Sequence, residues 1–275
     1  MTNTITTGQM EWVVSADGTA IAYRRSGAGS PLVLVHGTTA DHTRWAPVLP
    51  ALEAHYTVYA VDRRGRGASG DGRDYAIERE FEDIVAVIDA IGTPCDLLGH
   101  SYGALCALEA ALRSDRVRRL LLYEPPIEAA AGLFPRAVVR RIETLIEAGD
   151  GDGALVAFFR GIVRMPERDI ALLRAQSSWG ARVAAVHTIP REMRAAERYH
   201  FDPARFGRIT TPTLLLLGGE SPQPFRDGTA TLNASVPASR IAVLAGQQHA
   251  AISTAPDLFA REVLRFLGDD EHGIG

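Results

Sequence analysis

The stretch DLLGHSYGA at residues 96–104 decides the fold. An apolar strand runs into Gly99, a helix rich in small residues begins near Gly103, and Ser101 lies between the two glycines. A serine on such a turn is held in strained backbone geometry and projects from the sheet, because neither glycine has a Cβ that blocks the approach of strand and helix. Gly-x-Ser-x-Gly alone occurs by chance, but this context predicts that Ser101 is a nucleophile.

A second apolar strand ends at Val35 and is followed by a tight turn with the sequence HGTT. A turn of this kind presents backbone N–H groups. We predict that the N–H groups of Thr38 and Tyr102 stabilise the oxyanion of a tetrahedral intermediate, the second of them from the N-terminus of a helix. His36 is expected to hold the loop rather than to act on the substrate.

A third polar loop, GQQHA at residues 246–250, lies between the last apolar strand and the final helical pattern. A histidine at the end of a strand, downstream of the serine, suits a general base. We therefore predict that His249 deprotonates Ser101 and later protonates the leaving group.

Short β-type runs alternate with helical patterns along most of the chain, which predicts an α/β protein with a mostly parallel sheet and helices on both faces. Eight strands are predicted, at residues 11–15, 20–24, 32–35, 57–61, 96–98, 117–123, 213–217 and 241–245. Amphipathic helical stripes, such as Ile77, Phe81, Ile84 and Ile88, supply the covering layers.

The alternation stops between Pro125 and Phe206, where helix-type patterns continue without a convincing strand. We predict an α/β core domain formed by residues 1–124 and 207–275. Residues 125–206 are predicted to form a helical cap inserted after the sixth strand. A cap at that place covers the carboxyl edge of the sheet, where ligands bind such sheets.

Four segments together resemble the α/β-hydrolase family over nearly the whole chain: the HGTT loop, DRRGRGAS at 62–69, GHSYG at 99–103 and QQHA at 247–250. The resemblance implies the α/β-hydrolase fold and a Ser-His-acid triad. It also implies that segment 62–69 orders a loop beside the site, so Asp62 and Arg64 are given no chemical role.

The acid that orients the histidine departs from the family's usual pattern. The family usually has Asp three residues after the glycine that ends the seventh strand, but Gly218 is followed at that spacing by Ser221. Glu220 is one candidate. The family's alternative, as in haloalkane dehalogenases with Glu, is the end of the sixth strand, where Glu124 lies. We favour Glu124, keep Glu220 as the alternative, and expect Asp227 inside the following helix.

Composition excludes several functions. The formal net charge is -4, which gives no reason to expect nucleic acid or an anionic membrane surface. All 29 basic residues are arginine, so no lysine is present to form a Schiff base or to bind phosphate in a P-loop. The histidines show no metal-binding spacing, and we expect neither a metal nor a cofactor.

The chain shows no signal-peptide pattern and no long apolar run. Cys95 and Cys106 lie in segments that read as buried strand and helix, which favours a reducing compartment. We therefore expect a cytoplasmic protein without a membrane partner. No pattern indicates an oligomeric state.

These observations predict a serine hydrolase that cleaves a small ester, lactone or thioester through an acyl-enzyme. The fold also hosts lyases, acyl transferases and cyclases, and the sequence leaves these and a ligand-binding receptor open. The substrate is expected to be small and neutral or weakly charged. Arginines of the predicted cap, such as Arg164 and Arg191, are candidates for binding a carboxylate, but we favour a position at the solvated surface.

Overall fold

The computed structural model describes residues 8–127 and 134–268, which form one eight-stranded sheet in the order β1-β2-β4-β3-β5-β6-β7-β8. β2 pairs antiparallel with β1 and β4, and the other neighbouring strands are parallel. The strands are β1 (Gln9–Val14), β2 (Ala20–Gly27), β3 (Ser30–Val35), β4 (Tyr56–Val61), β5 (Cys95–His100), β6 (Val117–Tyr123), β7 (Thr213–Gly218) and β8 (Ser239–Leu244). The predicted α/β-hydrolase fold is confirmed, and each strand lies within three residues of its predicted ends.

Helices connect the strands and cover both faces. They are α1 (Leu49–Glu53), α2 (Ile77–Ile91), α3 (Tyr102–Ala111), α4 (Arg136–Glu147), α5 (Gly151–Phe158), α6 (Glu167–Arg174), α7 (Trp179–Ala184), α8 (Ile189–Arg198), α9 (Pro203–Phe206), α10 (Gln223–Ser235), α11 (Ala251–Thr254) and α12 (Pro256–Gly268). A 3₁₀ turn occupies His42–Trp45 and a π-helical turn occupies Phe159–Val163. Among the described residues, no helix is both long enough and apolar enough to cross a bilayer.

The two faces of the sheet are packed by alternate residues of the same buried strands, as the two-residue period of a strand requires. In β3, Val33 and Val35 pack with α2, α3 and α10 on one face. Leu32 and Leu34 pack with α1, α11 and α12 on the other. The core therefore fixes the carboxyl ends of β3, β5 and β6 beside one another.

Helices α4 to α9 lie between β6 and β7, and most of them share an apolar cluster that includes Ile142, Phe158, Leu173, Trp179 and Met193. The division into a core domain and a cap at residues 125 and 206 stays a prediction. Parts of those predicted units, residues 1–7, 128–133 and 269–275, lie outside the described residues.

A buried ionic cluster holds α8 of this helical segment to the core. The Glu192 carboxylate accepts hydrogen bonds from Arg63, at 2.5 Å, and from Arg66. Arg63 also donates two hydrogen bonds of 2.7 Å to Glu80 of α2. All four side chains are about 1% exposed, so this contact is shielded from solvent and from screening by salt.

Candidate active site

Ser101 has a backbone conformation that a side chain rarely adopts. Its φ is 55° and its ψ is -126°, at the point where β5 ends and α3 begins. A Cβ on Gly99 would lie 2.5 Å from Cα of Ala104, and one on Gly103 would lie 2.3 Å from the carbonyl oxygen of His36. Only glycine fits at these two positions, and the close packing holds Ser101 in its strained conformation.

Two cavities meet at Ser101 and share Thr38, Phe158 and Val163. The first, which we call the arginine cavity, is also lined by Arg44, His100, Arg182 and His249. The second, the apolar cavity, is lined by Tyr102 and Glu192 together with the apolar residues Pro126, Phe134, Ile162, Met193 and Phe225. Residues that are far apart in the sequence thus surround one serine hydroxyl.

Ser101 and His249 line the same cavity, but no hydrogen bond joins their side chains within the described part of the chain. Such contacts are often long in ligand-free enzymes and tighten when substrate binds. The serine and the histidine predicted from the sequence are therefore brought to one place by β5 and by the loop after β8.

His249 is oriented by Glu124 at the end of β6. His249 Nδ1 donates a hydrogen bond of 2.6 Å to Glu124 Oε2, and the Glu124 side chain is wholly buried. Glu124 Oε1 accepts from the Gly218 N–H at 2.8 Å and from the Ser221 hydroxyl at 2.5 Å. With its proton on Nδ1, the imidazole keeps Nε2 free to accept a proton.

The other two carboxylates considered from the sequence lie elsewhere. The Glu220 side chain is 56% exposed, and its carboxylate is 4.0 Å from the guanidinium of Arg168. Asp227 lies in α10 and accepts a hydrogen bond of 2.7 Å from Gln223. Of the three candidates, the structure brings only Glu124 to His249.

Two aromatic rings that the sequence did not single out hold His249 from its other sides. Phe225 stacks on the imidazole with ring centroids 4.5 Å apart. His100 donates from Nε2 to the backbone carbonyl oxygen of His249 at 3.1 Å. Burial, together with the positive charges nearby, keeps the pKa of His100 well below its usual value, so this ring is neutral.

The N–H groups of Thr38 and Tyr102 are the predicted oxyanion donors, and neither donates a hydrogen bond to another described residue. Tyr102 is the first residue of α3, where an N–H has no partner within the helix. The loop of Thr38 is fixed by His36, whose Nδ1 donates to the Gly37 carbonyl at 2.8 Å and whose Nε2 accepts from the Arg63 N–H at 3.1 Å.

The segment at residues 62–69 braces this loop region. Asp62 accepts hydrogen bonds from the backbone N–H groups of His42, at 2.7 Å, and Ala68, at 2.9 Å. Asp41, His42 and Asp62 bring potential metal-ligand atoms within 4.8 Å of one another. Their hydrogen bonds within the loops account for this arrangement, because the Asp62 oxygens and His42 Nδ1 already have partners.

The sequence of residues 32–262 matches the model of the Alpha/beta hydrolase family. The chain belongs to the α/β-hydrolase family. The predicted family membership is thereby confirmed. The hydrolase activity of the family supports the prediction that this chain is an enzyme.

Individual α/β hydrolases are similar to this chain over nearly their whole lengths. An α/β hydrolase from Sphaerobacter thermophilus has 36% sequence identity and a TM-score of 0.81, covering 94% of this chain and 100% of its own. The esterase RhEst1 from Rhodococcus has 26% identity and a TM-score of 0.79, covering 94% of this chain and 98% of its own. A 2-(acetamidomethylene)succinate hydrolase from Mesorhizobium japonicum is 25% identical over 263 residues, which is 89% of this chain and 90% of the relative.

Proposed function

We propose that this α/β hydrolase is a serine hydrolase that cleaves a small ester, lactone or thioester through an acyl-enzyme. Ser101 is the nucleophile, His249 the general base and Glu124 the acid that orients it. The observation that carries the proposal is the buried hydrogen bond of 2.6 Å between His249 Nδ1 and Glu124, because it leaves Nε2 available in the cavity that holds Ser101.

Acylation begins when Ser101 Oγ attacks the substrate carbonyl carbon and its proton passes to His249 Nε2. The carbonyl oxygen becomes an oxyanion. The negative charge of Glu124 stabilises the imidazolium that has formed. The tetrahedral intermediate then collapses, the bond to the leaving group breaks, and His249 returns the proton to the departing oxygen or sulfur.

Deacylation repeats these steps with water. His249 Nε2 takes a proton from a water molecule, whose oxygen attacks the acyl carbon. Collapse releases the carboxylic acid, and the proton on His249 returns to Ser101 Oγ. The enzyme ends in its starting protonation state, so the reaction needs no cofactor.

The N–H groups of Thr38 and Tyr102 form the proposed oxyanion hole. Both residues border Ser101 in the apolar cavity, and both N–H groups are available for a ligand. Backbone donors aimed at a developing oxyanion act strongly in a site that excludes water, and loss of one such donor typically costs about 3 kcal/mol of barrier height. Residues 125–206 serve in this proposal as a cap that supplies one wall of both cavities.

Esters are the preferred substrate class because the similar Rhodococcus protein is named an esterase. A lyase or transferase reaction uses the same nucleophile and base, and differs in the acceptor that takes the acyl group or in the bond that breaks. A receptor without catalysis retains the cavities but has no need of the hydrogen bond between Glu124 and His249.

Covalent labelling by a fluorophosphonate tests the proposal. We expect the phosphonyl group on Ser101, located by peptide mass spectrometry, and no labelling of Ser101→Ala. The wild-type protein should also hydrolyse p-nitrophenyl butyrate, whereas Ser101→Ala should lose about 10⁶-fold in kcat. Wild-type protein that is folded but neither labels nor turns over esters would contradict the proposal and favour a receptor.

A further inference from the structure

Two arginine side chains line the arginine cavity and are almost completely buried. Arg44 lies in the 3₁₀ turn after β3, and Arg182 lies in α7, which belongs to the helical segment between β6 and β7. Each residue is 5% exposed. Arginine is rarely buried to this extent unless an anion accompanies it, because removal of a charge from water is costly.

Neither arginine forms an ion pair with a carboxylate in residues 8–127 or 134–268. Arg44 donates a hydrogen bond of 2.6 Å to the Ser253 hydroxyl, which is a neutral acceptor. The buried Nε of Arg182 has no partner. Asp41 acts on Arg182 from beyond ion-pair distance, and its own carboxylate accepts from the Thr43 N–H at 2.9 Å. Among the described residues, therefore, no carboxylate lies in ion-pair contact with either guanidinium group.

Both arginines remain cationic at neutral pH. Burial, reinforced by the charge of Arg182, lowers the pKa of Arg44 to about 9. Burial lowers the pKa of Arg182 to about 10, and Asp41 only partly opposes this. The remaining titratable groups on the cavity wall are His100, which is neutral, and His249, which is bound to Glu124. The cavity beside Ser101 is thus positively charged.

The apolar cavity on the other side of Ser101 has a different character. Its one acidic wall residue, Glu192, is already bonded to Arg63 and Arg66. Most of its remaining wall is apolar. An anionic group is therefore accommodated on the arginine side of the nucleophile and an apolar group on the opposite side.

We propose that Arg44 and Arg182 bind a free carboxylate of the substrate, so that the enzyme cleaves small esters, lactones or thioesters that carry a second, unreacted carboxylate. Half-esters of short dicarboxylic acids are the simplest members of this class. Guanidinium groups suit this role because their planar donors match the two oxygens of a carboxylate. This inference rests on the proposed function, since it names the substrate class of the same site.

A matched pair of esters tests the inference. Mono-p-nitrophenyl glutarate carries a free carboxylate, and methyl p-nitrophenyl glutarate has a neutral ester group in its place. For the wild-type enzyme we expect kcat/KM to be about 100-fold higher for the anionic ester, because hydrogen bonds between charged groups in a buried site are strong.

The readout for each variant is the ratio of the two kcat/KM values. Arg182→Gln and Arg44→Gln should each lower this ratio by about 30-fold, chiefly through a higher KM for the anionic ester. Arg182→Lys keeps the charge and should retain part of the preference. Arg174→Gln is the matched control, because Arg174 lies on α6 with its side chain 58% exposed and bonded to Asp152. A wild-type enzyme that treats both esters alike, or a ratio unchanged in both Gln variants, overturns the inference.

Binding without turnover separates this inference from the proposed function. Glutarate, added to Ser101→Ala at constant ionic strength with chloride as the control, should raise the thermal unfolding temperature. The same addition should have no effect on the Ser101→Ala/Arg182→Gln protein. No stabilisation by glutarate overturns the anion site even if Ser101 is labelled by fluorophosphonate. A failure of labelling contradicts the proposed function but not the anion site, because the thermal unfolding measurement needs no catalysis.

Discussion

The ends of the neighbouring strands β6 and β7 each carry a glutamate close to the loop of His249, yet the two residues have opposite environments. Glu124 is wholly buried and hydrogen-bonded to His249, whereas the Glu220 side chain is 56% exposed. Glu124 has a φ of 47°, and this left-handed conformation coincides with a side chain directed into the site. Both residues are glutamates, so the type of residue alone does not decide which carboxylate meets the histidine.

Of the changes that test this comparison, Glu124→Gln should lower kcat the most. Glutamine keeps the shape but removes the negative charge, and its amide N–H₂ favours the wrong tautomer of His249. We expect kcat for p-nitrophenyl butyrate to fall by about 10³- to 10⁴-fold. Glu220→Gln is the matched control and should stay within about twofold of wild type, because changes of exposed carboxylates are usually small. Equal losses in the two variants would show that Glu124 is not the orienting acid.

Moving the carboxylate from position 124 to position 221 should restore part of the activity that Glu124→Gly loses. Ser221 Oγ lies 2.5 Å from Glu124 Oε1, so a carboxylate at position 221 has access to the same space. Glu124→Gly accepts the left-handed conformation and vacates that space. We expect Glu124→Gly/Ser221→Asp to exceed Glu124→Gly in kcat by about 10-fold, on the scale of one hydrogen bond to a charged group.

The matched control for the relocated acid is Glu124→Gly/Ser221→Asn, which has nearly the same shape without the charge. Stopped-flow or steady-state hydrolysis of the same ester gives all three rates. Equal rates for the Asp and Asn proteins would contradict the expectation that position 221 reaches His249.

Removal of the Ser221 hydroxyl alone should have the smallest effect of the series. Ser221→Ala deletes one of the three hydrogen bonds that Glu124 accepts, and those from His249 and the Gly218 N–H remain. We expect kcat to decrease by about three- to tenfold, since one such bond contributes about 1 kcal/mol. Thermal unfolding of the variant checks that the protein is still folded, and an unchanged kcat would indicate that two hydrogen bonds hold the carboxylate sufficiently.

The sequence was sufficient to predict the strands and the position of the Ser101 turn, because buried strands and glycine turns leave local patterns. Glu124 was favoured over Glu220 through the family resemblance, but the residue patterns alone left the choice open. The position of a glutamate at a strand end does not predict its backbone conformation, and so does not predict the direction of its side chain.

Arg44 and Arg182 were beyond prediction for a different reason. Every basic residue of the chain is arginine, so residue type does not separate those in a cavity from those at the surface. The expectation of a neutral or weakly charged substrate came from the net charge of -4, which describes the whole molecule. The proposed carboxylate site departs from that expectation, because a few buried charges, and not the net charge of the molecule, dominate the electric field within a cavity.

The buried cluster of Glu192 with Arg63 and Arg66 has a consequence for how ligands reach Ser101. Any movement that detaches α8 from the core separates Glu192 from Arg63 and Arg66, with which it is now paired away from water. Each hydrogen bond between charged groups that is lost in this way costs about 1.5–3 kcal/mol. Entry routes that leave α8 seated, and displace helices nearer the start of the segment instead, avoid that cost. Helix α8 therefore forms the fixed side of the entrance to the cavities at Ser101.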